Sequence, residues 1–189
     1  MDIVKLQIQK KRKELLFLFS KVYSGGLRGI DGYVVQVEAD VSDGLPGFYM
    51  VGSLASEVRE AEERVRTAMR NAGFHLSARK ITVNLSPANV RKEGTACDLP
   101  VAIAVLAAYG IVMPSGLKQT GFLGELGLDG KIKPVRGVLS MVLAMAEKGL
   151  ERCFLPEENV EEGVAADCME IVKIRNLQEV VEFLNEPDR

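Results

Sequence analysis

The sequence predicts a mixed α/β (α+β) domain, and three patterns along the chain support this fold class. Apolar side chains recur at every second position over residues 33–41, which is the period of a strand with one buried face. They recur at every third and fourth position over residues 54–72, which is the period of an amphipathic helix. Short strand-like and helix-like segments alternate from there on, without the 20–50-residue period of a repeat protein.

The first half of the chain is predicted to hold four strands and one helix. Strands are expected at residues 19–23, 33–41, 48–51 and 80–85, with Ser24-Gly25-Gly26 and Gly29 as turns. For the helix over residues 54–72, Ser53 or Ser56 can supply the N-terminal cap. Gly73 suits the left-handed residue at its C-terminus.

The second half begins with an apolar segment at residues 98–109, which predicts a buried helix. Asp98 can cap this helix, and Gly110 ends it. Asp129-Gly130, between apolar runs at residues 122–126 and 132–135, is a strong hairpin signal. Further helices are expected at residues 138–148, 157–164 and 177–184, and strands at 154–155 and 169–174.

Composition excludes several classes of protein. With 189 residues and a net charge of −2, the chain is not a histone-like nucleic-acid binder. Its three cysteines are too few and too scattered for a disulfide framework, and they favour a reducing, cytoplasmic location. No apolar run reaches membrane-spanning length. Charge is uneven, since residues 1–18 carry +3 and residues 147–189 carry −7, which indicates either solvated faces or an acidic docking surface.

Motifs for chemistry are few. The sequence contains no GxxxxGK[ST] phosphate-binding loop and no GxGxxG after a strand. His75 is the only histidine, which excludes a two-histidine metal site, and a histidine-assisted triad would need it near Ser86 or Cys97. Cys97 precedes the predicted buried helix, whose N-terminus would lower the thiol pKa; the alternative is a small apolar residue filling a junction.

Basic residues are concentrated in residues 57–93, and phosphate contacts need such side chains on one surface. The alternative is ordinary salt bridging along a helix, for example Glu60 with Arg64 or Glu62 with Arg66. Besides Arg59, the stretch contains seven residues that form the candidate nucleic-acid surface: Arg64, Arg66, Arg70, Arg79, Lys80, Arg91 and Lys92.

Several motifs together resemble the Mg-chelatase-like YifB/ComM family, in the right order over residues 19–184. They include Asp43-Gly44-Leu45-Pro46-Gly47-Phe48, Glu63-Arg64-Val65-Arg66-Thr67-Ala68, Ile81-Thr82-Val83-Asn84-Leu85-Ser86-Pro87-Ala88, Asp98-Leu99-Pro100-Val101-Ala102 and Pro134-Val135-Arg136-Gly137-Val138-Leu139.

The resemblance implies a Lon protease-like domain with the fold of ribosomal protein S5 domain 2, placed before an AAA+ ATPase module. Residues 1–18 are then expected to be a basic extension outside the fold, residues 19–184 the domain, and residues 185–189 the start of a linker. The expected partners are the AAA+ module, further copies in a hexamer, and DNA, since the ComM branch is implicated in branch migration during transformation. ATP and Mg²⁺ would belong to the AAA+ module, and no cofactor or metal is expected in this chain.

The same resemblance allows the catalytic dyad of Lon proteases to be checked. Alignment of the motifs puts Ala96 at the serine nucleophile and Leu139 at the lysine base. Because neither side chain has the required oxygen or amine, hydrolysis by this dyad is impossible. A slip of one residue would offer Thr95 or Cys97 as the nucleophile.

Three functions therefore remain open at this stage. The first is a non-catalytic assembly and nucleic-acid-engaging domain of a ring ATPase. The second is a purely structural oligomerisation module. The third is a residual hydrolase that uses Cys97 or Thr95.

Overall fold

The computed structural model describes residues 18–186, so the predicted extension at residues 1–18 and linker at 185–189 lie almost wholly outside the described residues. The strands are β1 (Phe19–Arg28), β2 (Asp31–Ser42), β3 (Gly47–Val51), β4 (Lys80–Ser86), β5 (Thr120–Phe122), β6 (Glu125–Leu126), β7 (Ile132–Lys133), β8 (Arg152–Pro156) and β9 (Glu170–Ile174). The helices are α1 (Ser56–Arg59), α2 (Ala61–Asn71), α3 (Asp98–Ala108), α4 (Val138–Glu147), α5 (Val160–Val164) and α6 (Leu177–Asn185), with 3₁₀ turns at Pro114–Leu117 and Glu157–Asn159.

Seven strands form one sheet in the order β3-β4-β2-β1-β5-β8-β9. Pairing is antiparallel at β1–β2 and β2–β4 and parallel at the other four junctions, which confirms the mixed α/β class. β1 and β2 form a long hairpin whose register runs from Phe19 opposite Asp40 to Arg28 opposite Asp31. β6 and β7 form a separate hairpin around Asp129-Gly130, as expected, and Gly130 has φ +83°.

Helix α3 lies in the core against β1 and β2. Every one of its residues is buried, which confirms the prediction of a buried helix. The Ser20 hydroxyl of β1 donates a hydrogen bond of 2.6 Å to the Ala104 carbonyl of α3, so the inward-facing residues of β1 meet this helix. Its end is also as predicted, since Gly110 has φ +73°.

Helix α4 packs on the opposite face of the same two strands. A Cβ added to Gly25 of β1 would lie 2.5 Å from the Met141 Cβ, and one added to Gly32 of β2 would lie 2.0 Å from the Ser140 carbonyl oxygen. The prediction of a turn at Ser24-Gly25-Gly26 is therefore wrong, because these residues continue β1 as far as Arg28. Glycine is needed there so that a helix can approach the strand closely.

The predicted helix over residues 54–72 is divided at Glu60 into α1 and α2. Neither Ser53 nor Ser56 caps it; Ala55 is the N-terminal cap residue of α1 and makes no side-chain cap hydrogen bond. The expected end is confirmed, because Gly73 has φ +88°. Within residues 18–186, the helices are all too short or too polar to cross a bilayer.

Candidate functional site

The two positions aligned with the Lon dyad carry no catalytic group in the structure. The Ala96 carbonyl accepts a hydrogen bond from the Gly124 amide just before α3. Leu139, in the first turn of α4, donates its amide to the Glu162 carboxylate at 3.0 Å. The Thr95 hydroxyl, the alternative nucleophile, donates to the Glu125 carboxylate at 2.6 Å. The Thr95 hydroxyl therefore directs its proton at a carboxylate, and the other oxygen of that carboxylate lies 3.5 Å from the Lys133 ammonium.

Cys97 does not have the environment of a reactive thiol. The side chain is buried, and burial raises the thiol pKa to about 12. Its Sγ lies 3.9 Å from the Ser24 hydroxyl, to which it donates. The prediction that the helix N-terminus lowers this pKa is wrong, because the loss of hydration disfavours the thiolate more strongly. The reading of Cys97 as a small residue filling a junction fits these contacts.

A triad of His75 with Ser86 is excluded by the length of β4. His75 precedes the first residue of this strand, and Ser86 is its last. The strand spans roughly 20 Å from Lys80 to Ser86, and His75 lines the cleft beside Arg79 and Ile81, at the end of the strand opposite to Ser86. Asp98 does not cap α3 either; Cys97 is the N-terminal cap residue, and Asp98 binds Arg64. Among residues 18–186, no cluster of three or more His, Cys, Asp or Glu side chains is arranged to hold a metal.

Two of the seven candidate basic residues are engaged by groups of the protein itself: Lys92 is buried, and Arg64, whose side chain is 21% exposed, is paired with a buried carboxylate. Arg64 donates two hydrogen bonds to the buried Asp98 carboxylate, at 2.9 and 3.1 Å, and a third of 2.8 Å to the Glu57 carbonyl. Lys92 is 1% exposed. Its ammonium donates to the carbonyls of Pro87 and Val90, and burial lowers the pKa of this lysine. These contacts argue against Arg64 and Lys92 as members of the predicted nucleic-acid surface.

Lys80 and Arg91 lie apart from the others. Lys80 is exposed on the sheet, with its Nζ 5.8 Å from the centre of the Tyr49 ring. Arg91 follows the far end of β4, where it lies 3.7 Å from the Glu93 carboxylate. Neither Lys80 nor Arg91 lines the cleft that the remaining arginines share, although all of these residues lie close together in the sequence.

The remaining three arginines converge on one cleft of about 660 Å³. Arg66 and Arg70 stand one turn apart on α2, so their side chains leave the same helix face. Arg79 reaches the cleft from the loop between α2 and β4, which also places the exposed His75 at its rim. Three cations at the mouth of one cleft give the arrangement that an anionic ligand needs.

The ion pairs of these arginines differ. Arg66 pairs with Glu63 at 2.6 Å, three residues away, and not with Glu62 as the helical spacing had suggested. Arg79 lies 3.8 Å from the fully exposed Asp43 carboxylate, a weak surface pair. Arg70 is exposed and has no ion pair among residues 18–186. Arg70 is thus the guanidinium that a phosphate can reach without displacing a carboxylate.

The cleft also has apolar walls that the sequence reasoning missed. Phe74, Leu76 and Tyr109 line it and are half-buried, so each keeps part of its surface open. The Tyr109 hydroxyl donates to the Ser77 carbonyl at 2.7 Å and ties the end of α3 to the loop. One feature of the sequence could have indicated this apolar wall: Phe74 and Leu76 stand on either side of His75, the only histidine, in a short loop.

Comparisons with known proteins agree on the type of domain. The family model described as "Subunit ChlI of Mg-chelatase" matches residues 37–159. "Competence protein ComM" of Haemophilus influenzae is 40% identical over 164 residues, which cover 87% of this chain and 32% of that protein. "Uncharacterized protein YifB" of Escherichia coli is 38% identical over 143 residues, covering 76% of this chain and 28% of that protein.

A more distant similarity concerns the protease. "Lon protease" of Mycolicibacterium smegmatis is 26% identical over 167 residues, which cover 82% of this chain and 21% of the protease. This match confirms the expectation of a Lon-like domain, and the matches to ComM and YifB confirm the resemblance. The chain spans about a third of the length of the ComM protein that it matches.

Proposed function

This chain belongs to the family of Mg-chelatase subunit ChlI, with the ChlI-type domain of ComM and YifB proteins, and we propose that it is a non-catalytic, nucleic-acid-engaging domain of a larger ATPase. The observation that carries the proposal is the convergence of Arg66, Arg70 and Arg79 on one cleft. Guanidinium groups bind phosphate oxygens in a fixed fork geometry, and several on one surface give salt-dependent affinity for a polyanion.

The proposal of a non-catalytic role rests on the chemistry of the former dyad. Ala96 and Leu139 supply neither a nucleophile nor a base. The alternative hydrolase that uses Cys97 would need a thiolate, and at neutral pH a buried thiol with a pKa of about 12 is protonated. We therefore propose a domain of the S5 domain 2 type that binds and positions, while ATP and Mg²⁺ are handled by an AAA+ module in the cytoplasm.

Binding of labelled DNA by the purified chain tests the proposal. Fluorescence anisotropy at roughly 50 mM salt, where electrostatic binding is strong, should detect binding that weakens as salt is raised. Arg70→Glu should lower the affinity about tenfold and reduce the slope of affinity against salt by about one contact. Arg136→Glu is the matched control, because Arg136 is exposed just before α4 and does not line the cleft. Failure to bind single-stranded, duplex and branched DNA alike would contradict the proposal.

A second candidate function, assembly, is favoured by exposed apolar side chains on α4 and α5. Leu139 and Leu143 stand one turn apart on α4 and are 38% and 42% exposed, and Val164 at the end of the neighbouring α5 is 57% exposed. Apolar patches of this kind are typical of protein interfaces. Further copies in a hexamer, or the AAA+ module, would bury them.

Sedimentation velocity separates these two roles. Concentration-dependent association that Leu143→Lys abolishes and Lys148→Leu leaves intact would support an assembly surface on α4. A strict monomer at high concentration would assign assembly to the rest of the full-length protein.

A further inference from the structure

We infer that the cleft holds a nucleoside phosphate unit, with the phosphate at the arginines and the flat base against the apolar wall. If the unit is part of a DNA strand, the inference rests on the proposed function. If it is a free nucleotide, the inference does not depend on that function. Both sources present the same chemistry, namely an aromatic ring joined to a phosphate, and the experiment below distinguishes them.

The cleft is divided chemically in the way such a ligand requires. The guanidinium groups of Arg66, Arg70 and Arg79 are at least partly exposed along its rim. The interior is formed by the buried Met69 and Phe48, together with the partly open Phe74. An inorganic anion would use only the rim, whereas a ligand with a base would use both regions.

The size of the cleft fits one unit of this kind. About 660 Å³ lies in the range of pockets that enclose small organic ligands. A base that is stacked and paired in a duplex presents only its edges and its backbone to a protein. An unpaired base can place its face against an aromatic wall, as bases of single strands do.

The aromatic wall is held in place before any ligand arrives. The 2.7 Å hydrogen bond from the Tyr109 hydroxyl to the Ser77 carbonyl fixes the loop that contains Phe74. The Phe74 amide donates 2.9 Å to the Met69 carbonyl at the end of α2. Two walls of the cleft are thus connected by hydrogen bonds. The aromatic wall is preorganised, so binding does not have to pay the conformational entropy of ordering it.

The test measures anisotropy of a 5′-labelled 12-nucleotide oligodeoxythymidine, with its duplex and with thymidine 5′-monophosphate and inorganic phosphate as competitors. We expect the monophosphate to compete at concentrations at least fivefold lower than inorganic phosphate.

Phe74→Leu removes the aromatic face and keeps an apolar side chain. This variant should lower the affinity for the single strand five- to tenfold, which is the magnitude of stacking a base on an aromatic side chain. Its affinity for the duplex should be unchanged. Phe183→Leu is a control for the loss of an aromatic ring away from the cleft, and melting temperatures verify that both variants fold.

The outcomes separate the two proposals. The nucleoside phosphate site would be overturned if both competitors displaced the DNA equally well. It would also be overturned if single strand and duplex bound equally and Phe74→Leu had no effect. A loss of DNA affinity in Arg70→Glu would still uphold nucleic-acid engagement in either case. Calorimetric titration with thymidine 5′-monophosphate covers the case in which no DNA binds. Nucleotide binding that Phe74→Leu weakens would then support the site with a free nucleotide and contradict the proposed function.

Discussion

The Arg64 guanidinium donates from Nε and Nη2 to the two carboxylate oxygens of Asp98, at 2.9 and 3.1 Å, across 34 positions of sequence. Asp98 is 1% exposed, and its Oδ2 also accepts the Leu126 amide at 3.2 Å. This contact joins α2 to α3 and β6. Because α2 carries Arg66 and Arg70, the pair fixes the helix that forms one wall of the cleft.

Removal of Arg64 should destabilise the fold strongly. In Arg64→Met the Asp98 carboxylate stays buried without its partner, and we expect a loss of about 3 kcal/mol or more in the free energy of unfolding. Asp98→Asn should cost less, and the double variant should lose less than the sum of the two. Urea unfolding of the four proteins measures this coupling, and strict additivity would show that the pair contributes no coupling energy.

The same variant should show a specific pH dependence. Burial raises the pKa of Asp98 above its ordinary value of 3.8, and the Arg64 guanidinium acts in the opposite direction. Removal of Arg64 should therefore raise the pKa of Asp98 further. A carboxyl with a raised pKa in the folded state binds its proton before the unfolded chain does as the pH falls, which stabilises the fold. The deficit of Arg64→Met should therefore be smaller at pH 5 than at pH 8, and a deficit that is constant over this range would contradict the assignment.

Lys92 should matter for stability and not for nucleic-acid binding. Lys92→Met removes the donor to the carbonyls of Pro87 and Val90, and a loss of about 1–3 kcal/mol is expected for the buried acceptors. Arg91→Met changes the exposed neighbour and should stay within about 0.5 kcal/mol. If Lys92→Met weakened DNA binding without a change in melting temperature, the assignment of Lys92 as a structural residue would be wrong.

Much of the fold follows from local sequence patterns, whereas the site depends on contacts between distant residues. The period of two over residues 33–41, the apolar segment of α3 and the Asp129-Gly130 turn each act within a few residues, and each predicted its element. Gly25 resembles a turn residue because the feature that requires it, the Met141 side chain of α4, comes more than 100 positions later. Arg64 resembles a surface arginine for the same reason, since Asp98 lies on another helix.

The close approach of α4 to β2 can be tested directly. A Cβ at Gly32 would lie 2.0 Å from the Ser140 carbonyl oxygen, a backbone atom that moves only with the helix. Gly32→Ala should cost about 1–3 kcal/mol or more in unfolding free energy. Gly29→Asn is the control, because its left-handed backbone is open on all sides and asparagine tolerates this conformation. Equal stability of Gly32→Ala and the parent chain would show that α4 can shift freely.

Thiol labelling distinguishes the three cysteines. Cys168 is exposed, whereas Cys97 and Cys153 are buried, and burial raises the pKa of both buried thiols. An alkylating reagent at pH 7.5 should therefore modify one thiol rapidly, and Cys168→Ser should abolish that fast phase. Fast modification of Cys97 would restore the hydrolase alternative.

Alkaline unfolding tests the burial of Cys97 independently. The folded state holds the thiol pKa at about 12, against an ordinary value of 9.0. Between these values the unfolded chain gives up the proton and the folded protein keeps it, so the stabilisation present below pH 9 is lost as the pH rises. At pH 10, one unit above the ordinary value, this loss is about 1.4 kcal/mol for one thiol.

In Cys97→Ala the fall in unfolding free energy from pH 8 to pH 10 should therefore be about 1 kcal/mol smaller than in the parent chain. Cys168→Ala provides the comparison, because its thiol is exposed and should change this fall much less; identical pH profiles for Cys97→Ala and the parent chain would contradict the raised pKa.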